Sequence, residues 1–188
     1  MATRTAAGPR QRLLEAAEEL TYSRGMNVGV DAILKRANVA RRSLYEHFGG
    51  KDGLVTAVLE RTTEADERHY RETMDAAGDD PRKRLLAVFD GLEAVIAEPT
   101  FRGCRYLSAD LALADPDHPA HAVTREYRRR ITALLEHELT RLRHRAAGRA
   151  AAQLFVLIDG ALAAGATRRA EAATGVGEVA ELIIDAGL

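Results

Sequence analysis

Residues Val30 to Leu54 read VDAILKRANVARRSLYEHFGGKDGL, and this stretch decides the fold. It predicts two short helices, Val30–Ala37 and Arg41–Phe48, joined by a tight turn and followed by the helix breaker Gly49-Gly50. The second helix is basic and aromatic. A short helix of this kind behind a turn is what places side chains in the major groove of DNA, so the stretch predicts a helix-turn-helix.

The pattern on both sides of this stretch is helical as well. Leu13, Ala17 and Leu20 recur at spacings of four and three behind Pro9, which predicts a first helix over 9–24. The periodicity predicts further helices over about 51–75, 85–96, 102–114, 120–145, 148–170 and 176–186. Because no segment alternates convincingly like a strand, we expect an all-α fold of about nine helices.

Charge is unevenly distributed along the 188 residues. The whole chain has a formal net charge of −1, whereas residues 1–52 contain nine basic and six acidic side chains, a net +3 that leaves −4 for the remainder. A positive end on a nearly neutral chain fits a module that touches phosphate with one face.

Other features argue against several classes of protein. The single cysteine, Cys104, excludes an intramolecular disulfide framework and fits a reducing cytoplasm. The opening MATRTAAGPRQR lacks the apolar segment of a secretory signal. The apolar run Leu154–Ala166 is too short to span a bilayer and contains Asp159. Because the sequence has no phosphate-cradling glycine loop, nucleophile motif or paired catalytic carboxylates, we expect neither an enzyme nor a cofactor.

The first helix and the quoted stretch together resemble the TetR (tetracycline-repressor-like) family of bacterial regulators. The resemblance covers Pro9 to about Glu60, and a weaker one extends to the body through Gly103-Cys104 and His118-Pro119. The residues that match the family motif are Ile33, Ala37, Val39, Leu44, Tyr45, Phe48, Lys51 and Leu54.

The resemblance implies an all-helical homodimer. It implies a helix-turn-helix DNA-binding domain over residues 1–52, and a ligand-binding and dimerisation domain over 53–188, with the helix at 51–75 connecting them. It also implies a four-helix bundle between subunits, formed by the last two long helices, and a small-molecule pocket in the body. Most members of the family repress transcription and release DNA when the ligand binds.

The residues expected to contact DNA lie mainly on the second helix of the motif. Arg41 and Arg42 open this helix, and an arginine fork can bind guanine bidentately or bind phosphate; the alternative is solvated surface charge. Ser43 can reach a base or a phosphate. The resemblance implies that the Tyr45 hydroxyl binds phosphate, while its ring also suits the core. His47 either donates to phosphate or is solvated surface.

Beside this helix, Lys51 adds a charge at the start of the next helix, where the helix N-terminus already favours phosphate. Three positions depart from the family pattern. Gly29 replaces a phosphate-binding Thr or Ser and can offer only its backbone N–H. Asn38 replaces the turn glycine and tolerates the left-handed conformation. Ala40 cannot cap the second helix with a side chain.

The segment AAQLFVLIDGALAAGA is nearly apolar all round and rich in small residues, which lets another helix approach closely. With the helix that follows, it predicts a two-fold dimer interface, and burial within one subunit is the alternative. The candidate interface residues are Ala152, Gly160, Ala163, Ala164, Val176, Val179, Ile183 and Ile184.

Apolar and aromatic residues of the body are candidates for the wall of a pocket for a small hydrophobic or amphipathic ligand. They are equally consistent with a packed core. The candidates are Phe89, Leu92, Val95, Phe101, Tyr106, Leu107, Tyr127, Phe155 and Asp159. Asp159 stands out because one acid in an apolar helix must pair, cap or meet solvent. Three alternatives are open for its side chain: it faces a cationic ligand, it forms a salt bridge across the dimer, or it points outward.

Two further features have a structural and a chemical interpretation. Asp115, Asp117, His118 and His121 could ligate a metal ion, but loops rich in proline collect Asp and His for turn chemistry, and we expect no metal site. Cys104 is expected to be a small core residue rather than a redox switch.

The sequence therefore predicts a cytoplasmic DNA-binding transcriptional regulator that binds double-stranded DNA and a second copy of itself and does not bind a membrane. The main hypothesis is a homodimeric repressor that a small-molecule ligand releases from a near-palindromic operator. The alternative is a DNA-binding regulator that has no effector or is controlled by a partner protein.

Overall fold

The computed structural model describes residues 7–168 and 175–188. The described residues form nine α-helices, as the sequence predicted, and the fold is all-α. The helices are α1 (Pro9–Arg24), α2 (Val30–Ala37), α3 (Arg41–Phe48), α4 (Lys51–Ala76), α5 (Pro81–Ala97), α6 (Arg105–Ala112), α7 (Ala120–Arg141), α8 (Ala147–Arg168) and α9 (Val176–Asp185).

The bounds of α1, α2 and α3 agree with the sequence prediction, whereas α6 and α7 are shorter than predicted. Helix α6 begins at Arg105 because Gly103 has a φ of 95°, a conformation that a right-handed helix cannot contain. Helix α7 ends at Arg141 because Arg143 adopts a left-handed φ of 58°, and the His144 N–H then bonds to the Leu139 carbonyl. The predicted end of α8 at Ala170 lies outside the described residues.

The chain divides into two compact units, and α4 contributes to both. The first unit contains the chain up to Thr62 together with Ser108–Thr124, and the second contains Thr63–Leu107 and Arg125–Leu188. The predicted boundary between residues 52 and 53 separates a DNA-binding part from a ligand-binding and dimerisation part. It divides the chain by role rather than by contacts, and it stays a prediction.

One apolar core holds α1, α2, α3 and the start of α4 together in the first unit. Ile33, Leu44 and Leu54 are almost fully buried in this core, and Val39 and Phe48 pack against it. Leu44 is the one residue of α3 that is fully enclosed. Most of this short helix lies at the surface, where its exposed residues are Arg41, Arg42, Tyr45, Glu46 and His47.

The second unit has a core of aliphatic and aromatic side chains from α5, α7, α8 and α9. Among the described residues of this unit, Glu138 is the one deeply buried carboxylate, at 3% exposure. Arg84 donates to this carboxylate through Nε at 3.0 Å, and Arg141 donates through Nη1 at 2.6 Å. Two cations thus neutralise a charge that would otherwise be costly to bury.

Helix α8 is long and apolar enough over Ala147–Thr167 to cross a membrane by length and composition alone, with a mean hydropathy of 1.5 and 44% of it buried in the chain. The core helix of a globular unit passes the same test. Leu154 and Ile158 are fully buried here, so the apolar character of α8 serves the core of the second unit.

Candidate functional site

The turn between α2 and α3 sets the direction of α3. Asn38 ends α2 in the left-handed conformation, with φ 52° and ψ 55°, and its N–H bonds to the carbonyls of Leu34 and Lys35. Arg12 of α1 donates to the Asn38 carbonyl at 3.1 Å. Asparagine therefore does here what a glycine would do, as the sequence predicted, and α1 holds the turn in place.

The N-terminus of α3 is open and positively charged. Ala40 precedes the helix in an extended conformation and makes no side-chain cap, and the first turn contains no acidic residue. Arg41 and Arg42 stand at this end, where the helix dipole disfavours cations. An uncapped N-terminus that carries two arginines gives up some helix stability, and it is a surface that attracts anions.

Both arginines are exposed, and each is paired with a carboxylate. Arg41 Nη2 lies 2.5 Å from Asp31 Oδ1 of α2, and Arg42 Nε lies 2.5 Å from Glu46 Oε1 of α3. Pairs this exposed contribute about 0–1 kcal/mol to stability, so they add little to the folding of α3. Sequence reasoning missed the two carboxylates, although the spacing of four between positions 42 and 46 was a usable signal.

The remaining candidates on α3 are also accessible. Tyr45 is 56% exposed, and one edge of its ring faces Gly50, where an added Cβ would lie 3.7 Å from Cε1. His47 is exposed and meets the Phe48 ring edge-on, with 6.3 Å between centroids. Ser43 is half-buried. The structure thus brings five predicted DNA contacts together on one eight-residue helix, and their contacts with DNA stay predictions.

The two candidates outside α3 have other surroundings. Lys51 is half-buried, and its ammonium donates to the Met26 carbonyl at 2.9 Å, so its charge fastens the loop between α1 and α2. Gly29 is the exposed N-cap of α2, with no heavy atom within 4 Å of an added Cβ. An additional exposed cation, Arg10, lies over the Phe48 ring at 5.4 Å. No pattern in the sequence indicated that contact.

The predicted pocket residues of the second unit are mostly packed against one another. The Tyr106 and Tyr127 rings stack with 3.7 Å between centroids, and Tyr127 meets Phe155 edge-on at 6.2 Å. Tyr106 donates to Asp66 Oδ2 at 2.8 Å. Burial raises the pKa of Tyr127, so its hydroxyl remains a neutral donor.

The other pocket candidates differ in burial. Phe89, Leu92 and Phe101 are buried, while Leu107 is partly buried. Val95 was expected in the wall, but it is 39% exposed because its position on α5 faces away from the core. The second unit also has cavities of about 640 and 620 Å³, and neither is lined by any of these candidates.

Three polar candidates have partners within the chain. Asp159 lies 3.6 Å from Nε of Arg128, and the two form an ion pair within one subunit. His121 Nδ1 lies 2.8 Å from Asp110 Oδ1, and this hydrogen bond raises the pKa of His121. His118 is buried and accepts the Ala120 N–H at Nδ1. Within residues 7–168 and 175–188, no three His, Cys, Asp or Glu side chains are grouped as a metal site requires.

Cys104 is a buried free cysteine. Burial raises the pKa of its thiol to about 11, so the thiol stays protonated near neutral pH. A protonated, enclosed thiol is a poor nucleophile. This environment suits the core role that the sequence predicted.

The candidate interface residues fall into two groups. Ala152, Gly160 and Ala163 of α8 and Val179 of α9 are exposed, and Ala164 and Ile183 are partly buried. Val176 and Ile184 were expected at the interface, but they are 7% and 0% exposed because they face the core beneath α9. They have almost no surface to offer a second copy.

Two apolar side chains that the prediction omitted lie on the same exposed face. Val156 of α8 is 70% exposed, and Leu182 of α9 is 71% exposed. The cavity of about 640 Å³ lies between α8, α9 and the loop that precedes α8, and Leu182 and Val179 contribute to its wall. We call the exposed apolar and small side chains of α8 and α9 together the α8–α9 face.

Comparisons with known proteins agree with this architecture. The family model for "Bacterial regulatory proteins, tetR family" matches residues 13–58, which span α1, α2, α3 and the first turns of α4. The HTH-type transcriptional repressor NemR of Escherichia coli K12 is 27% identical over 132 residues. That match covers 69% of this chain and 66% of NemR.

Two solved structures match nearly the whole chain. A protein of Streptomyces avermitilis, described as a TetR transcriptional regulator, is 34% identical with a TM-score of 0.85, over 96% of this chain and 98% of its own. A TetR-family transcriptional regulator of Streptomyces coelicolor is 31% identical with a TM-score of 0.82, over 95% of both chains. The chain therefore belongs to the TetR family of DNA-binding transcriptional regulators.

Proposed function

We propose that this regulator is a homodimeric repressor that binds a near-palindromic operator and is released by a small hydrophobic or amphipathic effector in the cytoplasm. The observation that carries the proposal is the surface of α3. This helix follows the Asn38 turn and presents two exposed arginines, a tyrosine and a histidine. The repressor role is supported by the similarity to NemR, whose name describes it as a repressor. We propose no catalytic role.

Reading DNA with α3 accounts for the features that weaken this helix. The missing N-cap and the arginines in its first turn both disfavour an isolated helix, and both favour contact with DNA. One eight-residue helix makes few base contacts, so useful affinity requires a second copy on the adjacent half-site.

Dimerisation through the α8–α9 face supplies this second copy. Val156, Val179 and Leu182 are large apolar side chains exposed on this face, and small residues of α8 lie beside them. Large exposed apolar side chains grouped on two helices are typical of a protein interface. Leu182→Glu is therefore expected to give a monomer in light scattering. Leu111→Glu is the matched control, since Leu111 is 79% exposed on α6 and should leave the dimer intact.

The effector is proposed for the aromatic region around Tyr106, Tyr127 and Phe155. Its wall is apolar with phenol and carboxylate groups, which suits an amphipathic ligand. These rings pack directly against one another, an observation that favours the second candidate function, a regulator with no effector or one controlled by a partner protein. An effector must bind the DNA-free state better than the DNA-bound state to release the operator.

Selection of bound fragments from random duplex DNA tests the DNA-binding role, and the selected duplex then serves in anisotropy titrations. Arg42→Ala is expected to weaken binding by about 5- to 150-fold, the loss of one good base contact, and to leave the dimer intact. Arg129→Ala is the control, because Arg129 is a 70% exposed arginine on α7 that also pairs with a glutamate on its own helix. Unchanged affinity in Arg42→Ala would show that α3 is not the reading helix.

A thermal-shift screen against metabolites and drugs separates the two candidate functions. A compound that raises Tm and also weakens operator binding supports an effector-released repressor. If compounds that raise Tm leave operator affinity unchanged, the regulator without an effector is the better description. A folded sample that stays monomeric and prefers no duplex sequence would contradict both.

A further inference from the structure

The ion pair on α3 fixes the orientation of one arginine. Arg42 Nε lies 2.5 Å from Oε1 of Glu46, one helical turn further along. Both side chains are accessible, at 87% for Arg42 and 49% for Glu46. In the part of the chain that the structure describes, no hydrogen bond engages Nη1 or Nη2 of Arg42. The carboxylate thus engages Nε, which we call the inner edge of the guanidinium. It leaves open the outer edge, which Nη1 and Nη2 form.

Helix stabilisation does not explain this pair. An acid four residues before a base is the favourable order on a helix, because the acid then lies toward the positive end of the helix dipole. Two other pairs at this spacing, Glu67–Arg71 and Glu126–Arg130, have that order. Arg42–Glu46 has the reverse order, with the base in the first turn. Its contribution to the stability of α3 is therefore small.

The open edge of Arg42 matches one base. Guanine presents two acceptors in the major groove, N7 and O6, and two parallel N–H groups of an arginine bind both at once. A free arginine loses rotamer freedom when it binds in this way. Because Glu46 restrains Nε before DNA binds, the arginine has already lost part of its rotamer freedom, and the plane of its guanidinium is already oriented.

The same carboxylate disfavours the competing contact. A phosphate near Arg42 would also lie near Glu46, and the two anions repel each other. Guanine is neutral and has no such penalty. Resting on the proposed reading of DNA by α3, we propose that Glu46 is a positioning residue that directs Arg42 to a guanine of the operator and away from the phosphate backbone.

The neighbouring arginine provides a contrast. Arg41 is held by Asp31 through Nη2, which belongs to the outer edge of its guanidinium, and its side chain is 53% exposed. An arginine with this edge occupied is less suited to bidentate base contact. Arg41 instead links α2 to α3, and the base-reading role falls to Arg42.

Substitution of single operator guanines by 7-deazaguanine, which lacks the N7 acceptor, tests the proposal. In the wild-type protein, one guanine per half-site is expected to show a penalty of about 5- to 150-fold in Kd, and Arg42→Ala should abolish this penalty. Glu46→Gln should reduce it to about 3-fold or less, and Glu46→Asp, which keeps the carboxylate, should recover part of it. Glu46→Gln should also bind unrelated duplexes more tightly, with a salt slope steeper by up to about one unit.

Glu19→Gln is the matched control. Glu19 is 51% exposed, forms an ion pair with Arg36 at 2.6 Å, and changes the charge of the first unit by the same amount when replaced. It should keep the full 7-deazaguanine penalty. A full penalty in Glu46→Gln would overturn the positioning role, as would the absence of any guanine whose penalty depends on Arg42. A wild-type protein that prefers no duplex sequence would instead overturn the proposed function itself.

Discussion

Gly53→Ala is expected to destabilise this protein, although the same change in most helices is stabilising. Gly53 lies in the first turn of α4, and a Cβ added there would lie 2.0 Å from the carbonyl oxygen of Phe48, the last residue of α3. Glycine to alanine inside a helix ordinarily raises stability by about 0.5–1 kcal/mol. The sign of the effect therefore tests whether the close approach of α3 and α4 is real.

The magnitude follows from the geometry. Real Cβ atoms essentially never come within 3.0 Å of another heavy atom, so the Phe48 carbonyl must move by about 1 Å or more, and it is backbone that cannot rotate aside. Overpacking of this kind costs about 1–3 kcal/mol, which leaves a net loss of up to about 2.5 kcal/mol after the helix gain. For a chain of this length, the loss corresponds to a fall in Tm of up to about 10 °C.

Operator binding should weaken as well. Helix α3 has eight residues and is about 12 Å long, so a shift of about 1 Å at its C-terminal end tilts it by roughly 5°. A displacement of this size exceeds the roughly 0.5 Å within which a binding group must be held. Urea unfolding followed by circular dichroism measures the stability, and anisotropy titration measures the affinity.

Gly91→Ala provides the control for Gly53→Ala. Gly91 lies within α5, and an added Cβ would make an ordinary contact with Thr73 Cγ2 at 3.6 Å. This variant should gain about 0.5–1 kcal/mol. If Gly53→Ala also gains stability and keeps its operator affinity, α3 and α4 lie further apart at this position and the expected clash is refuted.

Three further outcomes are expected. Asn38→Gly should retain or slightly raise the free energy of unfolding, while Asn38→Val should lower it by about 1–2 kcal/mol, because a β-branched residue resists the φ of 52°; equal urea midpoints would contradict the left-handed turn. Native Cys104 should react slowly with iodoacetamide at neutral pH and faster as the pH rises toward about 11, since its thiolate forms only there, whereas urea-unfolded protein should react quickly at lower pH; rapid alkylation of folded protein at neutral pH would count against this. Arg84→Met should cost about 2–3 kcal/mol because the buried Glu138 loses one of two cations, whereas Arg71→Met, at a 58% exposed side chain, should cost less than about 1 kcal/mol; similar losses in the two variants would refute the distinction.

The positions of the first three helices could be read from local signals. Pro9 starts α1, Gly25 follows its last residue, and the glycines at 49 and 50 end α3. Each signal acts through the conformation of one or two residues, so no knowledge of distant contacts is needed. The same holds for the exposure of Arg42, which lies on the side of α3 away from Leu44 and Phe48.

Other features depended on which elements pack together. Val176 and Ile184 are apolar positions of α9 whose side chains lie in the core, whereas Val179 on the same helix is exposed. An apolar pattern identifies a face that avoids water, but it does not say whether the same chain or a second copy covers it. Sequence spacing alone also left Asp159 with three alternatives, a cationic ligand, a salt bridge across the dimer or solvent, and in the fold it pairs with Arg128.

The sequence by itself determined an all-helical chain with a basic helix-turn-helix near its start, because helix periodicity, turn residues and charge are properties of neighbouring residues. Only the tertiary structure decided that Gly53 must lack a side chain, which apolar residues remain uncovered on α8 and α9, and that Glu46 engages Nε rather than the outer edge of Arg42. These outcomes depend on distances of a few ångströms between side chains, or between separate elements, and such distances are set when the helices pack.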